Sequence, residues 1–128
     1  MENGPKTRNG IAHILDALRY SLSGITAALT TETAFRLEII LACLSLPIAS
    51  LLPLPLGYKA FLIVSTIGVL IVELLNTAIE YLVNMVSQDF SPLGKRAKDM
   101  GSAAVMLSIV NLSVAWLFAL WQWVARTP

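Results

Sequence analysis

The sequence has few of the features that organise a water-soluble protein. Only 13% of its 128 residues are charged, about half the share found in an average soluble domain. The formal net charge is +1, so the charge balance does not indicate a nucleic-acid partner. A single cysteine, Cys43, excludes an intrachain disulfide and indicates no redox compartment. The remaining composition is 56% hydrophobic, which is typical of a small integral membrane protein.

Periodic apolar residues predict an all-α membrane protein with a single domain. Between Ile11 and Thr31 they recur every three or four positions, which is the pattern of an amphipathic helix. This helix is too polar to span a bilayer and is expected at the membrane surface, although a cytosolic helix packed on the bundle is an alternative. Residues 1–31 would then be an N-terminal tail and surface helix. A chain of this length can form only a few membrane helices, which enclose little space, so oligomerisation is expected.

Three apolar runs are long enough to cross a bilayer. They predict transmembrane helices over residues 33–54, 59–86 and 100–124. Pro47 should kink the first of them. Residues 87–98 are predicted to be a polar connector, in which Pro92 and Gly94 break any helix.

Basic residues are concentrated on one side of the predicted spans. The residues before the first span and between the second and third spans lie on the same side, and the basic ones among them are Lys6, Arg8, Arg19, Arg36, Lys95, Arg96 and Lys98. The opposite side has only Lys59 and Arg126. The positive-inside rule therefore places the N-terminus and the connector in the cytoplasm. The polar N-terminal residues also lack the apolar core and cleavage site of a signal peptide.

The second span carries polar residues on one helical face, which are Glu73, Asn76, Thr77, Glu80 and Asn84. An ionisable group inside a membrane costs about 3 kcal/mol or more. Two carboxylates on one face therefore predict an active surface, whereas helix–helix adhesion needs only the amide and hydroxyl groups. Counting ~1.5 Å per residue from Tyr58 puts Glu73 about 7 Å inside the cytoplasmic boundary and Glu80 at that boundary.

This layout favours phosphoryl transfer between a lipid alcohol and a nucleotide. A carboxylate at the depth of Glu73 has lost part of its water and is suited to accept a proton from a lipid hydroxyl. Boundary acids such as Glu80 and Glu32 can hold Mg²⁺, and Lys98 supplies a positive charge for phosphates. A small proton-coupled transporter using Glu73 is an alternative, but its acid would be expected nearer the midplane of the membrane.

Three segments closely resemble the small prokaryotic diacylglycerol kinases. They are residues 32–38 (ETAFRLE), 72–80 (VELLNTAIE) and 96–105 (RAKDMGSAAV), and the resemblance continues over nearly the whole chain after Ile11. It implies a homotrimer in the bacterial inner membrane that transfers the γ-phosphate of ATP to diacylglycerol, giving phosphatidic acid. A related activity on undecaprenol is the alternative within this class. No Walker-type glycine loop is present, and the resemblance does not require one.

The resemblance also implies roles for individual residues. Glu73 resembles the general base, and Glu32 and Glu80 resemble the Mg²⁺ ligands. Further nucleotide contacts would be Tyr20, Asp89, Lys98 and Asp99. Residues that resemble the lining of the lipid and active site are Ala34, Arg36, Glu38, Asn76 and Ser102. The chain departs from the family pattern at Asn84, where Asp is frequent, and at His13, where Arg is usual.

Overall fold

The computed structural model describes residues 10–86 and 89–125, which contain four α-helices and no strand. The helices are α1 (Gly10–Thr31), α2 (Thr33–Leu51), α3 (Leu56–Val86) and α4 (Pro92–Val124). The all-α prediction is confirmed. Lys6, Arg8 and Arg126, which contributed to the predicted orientation, lie outside the described residues, as do residues 87–88 of the connector.

Three of these helices, α2, α3 and α4, are long and apolar enough to cross a membrane. Helices α3 and α4 contain 31 and 33 residues, more than the ~20 that a hydrocarbon core requires. In α1 only Ala28 is buried, so its apolar side chains are not covered by the rest of the chain. This exposure is what a helix lying on a membrane surface needs, and that location stays a prediction.

The prediction that Pro92 and Gly94 break the helix in the connector is wrong, because α4 begins at Pro92. Proline is favoured in the first turn, where its missing N–H would have no intrahelical partner. The preceding residue, Ser91, caps the helix by accepting a hydrogen bond from the Gly94 N–H at 3.2 Å. Gly94 lies against α3, where a Cβ would come within 2.9 Å of Val83 Cγ1.

Two prolines near the C-terminal end of the first predicted span have different effects. Helix α2 continues through Pro47 and ends at Leu51, three residues before the predicted limit. Leu52 is extended, with φ −63° and ψ 141°, because Pro53 disfavours the helical conformation of the residue before it. Helix α3 then begins at Leu56, slightly earlier than the predicted residue 59.

Helix α3 packs most extensively against α4 and less against α2. The buried apolar cluster lies where the α2–α3 turn meets the C-terminal half of α4, and it comprises Ala49, Leu54, Leu62, Ala115 and Ala119. Its alanines let the helices approach closely, as in many membrane proteins. The Asn111 carboxamide also donates a hydrogen bond to Ser65 Oγ at 3.3 Å across the α3–α4 contact. This packing fixes the register that presents the polar face of α3 to α4.

We expect Ser91→Ala to destabilise the start of α4 by about 1 kcal/mol, since it removes the N-terminal cap. Thermal unfolding in detergent micelles, followed by circular dichroism, would show a lower midpoint. Ser113→Ala is the matched control, because Ser113 only bonds the Ile109 carbonyl within the same helix. Equal midpoints for the two variants would contradict the capping role.

Candidate active site

A cavity of about 320 Å³ lies between the N-terminus of α2, the C-terminal half of α3 and the first half of α4. It is lined by Glu32, Ala34, Glu73, Asn76, Thr77, Glu80, Ser102 and Val105, and we call it the acidic cavity. Six residues proposed from the sequence therefore come together here: Glu32, Ala34, Glu73, Asn76, Glu80 and Ser102. They come from three segments that are far apart in sequence.

Helix α3 provides the central wall of the acidic cavity. Glu73, Asn76, Thr77 and Glu80 follow a spacing of three and four residues, so one face of the helix presents all of them. Glu73 is only 6% exposed even in the single chain. Its carboxylate is repelled by those of Glu80 and Glu32. A fourth acid, Glu38 of α2, does not line the cavity but also repels Glu73. Such a concentration of negative charge favours a bound cation or proton.

Glu32 lies between α1 and α2 and is held by two hydroxyl groups. Its Oε1 accepts hydrogen bonds from Tyr81 Oη at 2.7 Å and from Thr31 Oγ1 at 2.9 Å. The Tyr81 bond, then the Thr31 bond and the nearby Arg36 charge lower the pKa of Glu32 below its ordinary value. The carboxylate is therefore ionised at neutral pH, as a metal ligand has to be.

Arg36 is not among the residues that line the acidic cavity in the described chain. Its guanidinium donates to the carbonyls of Leu29 and Thr30, at 3.3 and 3.0 Å, and to Thr33 Oγ1 at 2.9 Å. The last carbonyls of a helix have no partner within the helix. Arg36 thus caps the C-terminus of α1 and stabilises the junction that carries Glu32.

Asn76 of α3 lines the acidic cavity and lies against Gly101 of α4. Its Nδ2 donates to Glu80 Oε1 at 3.3 Å. Its Oδ1 is buried without a hydrogen-bond partner among the described residues, as is Oε2 of Glu38. An unsatisfied buried acceptor costs about 1–3 kcal/mol. Asn76 Oδ1 packs against Gly101 of α4, so the carboxamide is held in one orientation between the two helices.

A second, larger cavity of about 790 Å³ lies where α3 ends and α4 begins. Most of its lining is apolar, including Phe90, and its polar groups include Asn84, Asp89 and Lys98. Lys98 Nζ donates to Asn84 Oδ1 at 2.7 Å. Asn84 lies one helical turn beyond Glu80, so the two cavities are about 6 Å apart along α3. We call this the connector cavity.

Two predicted nucleotide contacts lie away from both cavities in the described part of the chain. Tyr20 is on α1 and is 70% exposed. Asp99 forms an exposed ion pair with Lys95, with Oδ2 and Nζ 2.5 Å apart. Tyr81, in contrast, was not anticipated from the sequence. A tyrosine at the end of a membrane helix usually marks the interface, and only the fold brings its hydroxyl to Glu32.

The described residues contain no group of three or more His, Cys, Asp or Glu side chains that could hold a metal ion unaided. The acidic cavity nevertheless fits Mg²⁺, since this ion prefers one or two carboxylates combined with substrate phosphates to a complete protein cage. Glu32 and Glu80 are the carboxylates that fit this pattern, because Glu73 is more deeply buried.

Comparisons with known proteins show similarity over most of the chain. A family model described as prokaryotic diacylglycerol kinase matches residues 19–120. A diacylglycerol kinase of Pseudomonas aeruginosa is 44% identical over 111 residues, covering 87% of this chain and 90% of the relative. That of Escherichia coli K12 is 40% identical over 113 residues, covering 88% and 93%. A third, from Haemophilus influenzae, is 36% identical over 107 residues, covering 84% and 91%.

Gly101 of α4 tests the Asn76 geometry, because a Cβ at this glycine would overlap Asn76 Oδ1. We expect Gly101→Ala to displace the carboxamide and break its hydrogen bond to Glu80. The side-chain amide signals of Asn76 in NMR spectra should shift strongly. Gly57→Ala is the control, since nothing lies within 4 Å of a Cβ there. Unchanged Asn76 signals in Gly101→Ala would contradict the close contact.

Proposed function

The chain belongs to the prokaryotic diacylglycerol kinase family, and we propose that Glu73 is the general base in phosphoryl transfer from ATP to diacylglycerol. The observation that carries this proposal is the burial of Glu73, at 6% exposure, in a cavity with Glu32 and Glu80. The three helices that are long and apolar enough to cross a membrane, together with the family, indicate a membrane protein. The reaction would take place where a lipid hydroxyl and a water-soluble nucleotide can meet.

The proposed reaction is a direct displacement. The diacylglycerol hydroxyl loses its proton to the Glu73 carboxylate, and the resulting oxygen nucleophile forms a bond to the γ-phosphorus of ATP. The bond from that phosphorus to the β,γ-bridging oxygen breaks, so phosphatidic acid and ADP are the products. Asn76, which lines the acidic cavity beside Glu73, would orient polar groups of the lipid. Ala34 and Ser102 complete the lining on α2 and α4.

Glu32 and Glu80 are proposed to hold Mg²⁺ together with nucleotide phosphates. Both have hard oxygen donors, both line the acidic cavity, and each accepts a hydrogen bond that limits its motion. When bound, Mg²⁺ would offset the charge that develops on the transferred phosphoryl group. The mutual repulsion of the carboxylates supports a cation at this place.

The connector cavity is proposed to hold the rest of the nucleotide. Its apolar lining suits an adenine ring, and Lys98 provides a positive charge close to Glu80. Asp89 lies in the same cavity and can accept a hydrogen bond from a ribose hydroxyl. Tyr20 and Asp99 would contact the nucleotide in a homotrimer, in which neighbouring chains complete each site. The basic residues around this end support a cytoplasmic location of the site, with the N-terminus on the same side of the inner membrane.

The reaction is tested with labelled ATP, Mg²⁺ and a panel of lipid alcohols. Purified protein in mixed micelles should phosphorylate diacylglycerol and transfer the label to phosphatidic acid. Undecaprenol is the informative competitor, because a polyprenol kinase would also use a buried base and a nucleotide. Robust turnover of undecaprenol without turnover of diacylglycerol would overturn the substrate assignment.

We expect Glu73→Gln to lower kcat at least ~10²-fold, because the amide keeps the shape but cannot accept the hydroxyl proton. Binding of a non-hydrolysable ATP analogue should change little. Asp16→Asn is the charge-matched control, since Asp16 lies on α1 and lines neither cavity. Normal turnover in Glu73→Gln would remove Glu73 from the role of base.

Asn84→Asp tests the connector cavity. The hydrogen bond from Lys98 to this position would become an ion pair and remain formed, so turnover should equal or exceed that of the native chain. In contrast, Asn84→Ala removes the acceptor and should raise the KM for ATP. Steady-state kinetics over a range of ATP concentrations would distinguish the two. Inactivation by Asn84→Asp would mean that this position contacts the nucleotide in another way.

A further inference from the structure

Tyr81 joins three elements at the edge of the acidic cavity. It lies on α3, directly after Glu80, and its hydroxyl donates to Glu32 Oε1 at 2.7 Å. The same hydroxyl is 3.0 Å from Thr31 Oγ1, at the end of α1. Thr31 Oγ1 lies 2.9 Å from Glu32 Oε1 and 3.0 Å from the Ala27 carbonyl, and its one proton can be donated to either acceptor. A short network of hydroxyls therefore ties Glu32 to both α1 and α3.

Glu32 immediately precedes α2, but its side chain bonds the hydroxyl network and not the N-terminus of that helix. The residue just before a helix often accepts a hydrogen bond through its side chain from an N–H group of the first turn. Glu32 has the extended backbone of such a residue, with φ −101° and ψ 115°, but within the described chain its side chain makes no capping hydrogen bond. The orientation of its carboxylate is therefore decided by Tyr81 and Thr31 and not by α2.

Both hydroxyls bind the same oxygen, Oε1, so Oε2 of Glu32 is left for a ligand in the cavity that this residue lines. Tyr81 matters more than Thr31 for the geometry, because it lies on the helix that also carries Glu73 and Glu80. Helix α1 otherwise packs sparsely against α3. The Tyr81 hydrogen bond thus holds Glu32 at a fixed distance from the other carboxylates.

We propose that Tyr81 is a positioning residue, which orients Glu32 for binding a divalent cation in the acidic cavity. This inference rests on the proposed role of Glu32 as a metal ligand. Residues that hydrogen-bond a metal ligand fix its orientation, and their loss commonly weakens metal binding ~10–100-fold. Tyr81 is half-exposed and Thr31 still donates after its removal, so the lower end of this range, about tenfold, is expected.

The test compares Tyr81→Phe with the native chain, since this change removes only the hydroxyl. Mn²⁺ binding is measured by electron paramagnetic resonance in the presence of a non-hydrolysable ATP analogue, and kinetics are measured over a range of Mg²⁺ concentrations. The variant should bind Mn²⁺ about tenfold more weakly, and the KM for Mg²⁺ should rise while kcat changes little. Tyr58→Phe, at the opposite end of α3, is the matched control and should behave as the native chain does.

Two further variants make the outcomes distinct. Thr31→Val removes the other hydroxyl from Oε1 without altering α3, and it should weaken Mn²⁺ binding in the same direction. Unchanged Mn²⁺ affinity in both Tyr81→Phe and Thr31→Val, with Glu32→Gln weakened, overturns the positioning role alone. Unchanged affinity in Glu32→Gln overturns the metal-ligand assignment itself. A fall in kcat for Tyr81→Phe with native Mn²⁺ affinity also contradicts action through Glu32.

Discussion

Repulsion between carboxylates confined to one small cavity is the interaction on which the site depends. Glu73 is buried on α3, and it is repelled by Glu80, Glu32 and Glu38. Like charges this close are costly in an apolar environment unless a cation or a proton joins them. The chemistry proposed for the site supplies both, because Mg²⁺ would lie between the boundary acids and the lipid hydroxyl would give its proton to the deepest one.

Close packing of α3 on α4 maintains this arrangement. Gly101 leaves room for the Asn76 side chain, and Asn76 in turn holds Glu80. Farther along the same contact, Asn111 and Ser65 form a hydrogen bond between the two helices. On the other side, Arg36 caps α1 and Tyr81 bonds Glu32, so the short α1–α2 junction is fixed relative to α3. The acids are thus held by neutral groups and by backbone carbonyls, while no described basic side chain is needed to line the acidic cavity.

The regular parts of this structure follow from the sequence because they depend on local periodicity. Long apolar runs predict three spanning helices, and the spacing of Glu73, Asn76 and Glu80 predicts a single polar face. At the start of α4 the helix-breaking tendencies of Pro92 and Gly94 predict the wrong structure, because the Ser91 cap makes Pro92 a favourable first residue. Local signals of this kind conflict, and packing of Gly94 against Val83 helps to decide between them.

The sequence by itself determined the membrane class, the helical architecture and the face of α3 that carries the acids, since each depends on residues close together in the chain. Only the tertiary structure decided which distant groups meet. It brought Glu32 to Glu73, diverted Arg36 to the end of α1, paired Lys98 with Asn84 and placed the Tyr81 hydroxyl on Glu32. The physical reason is that these contacts depend on helix register and approach distance, which are set by small buried residues such as Gly101 and not by any local pattern around the groups that meet.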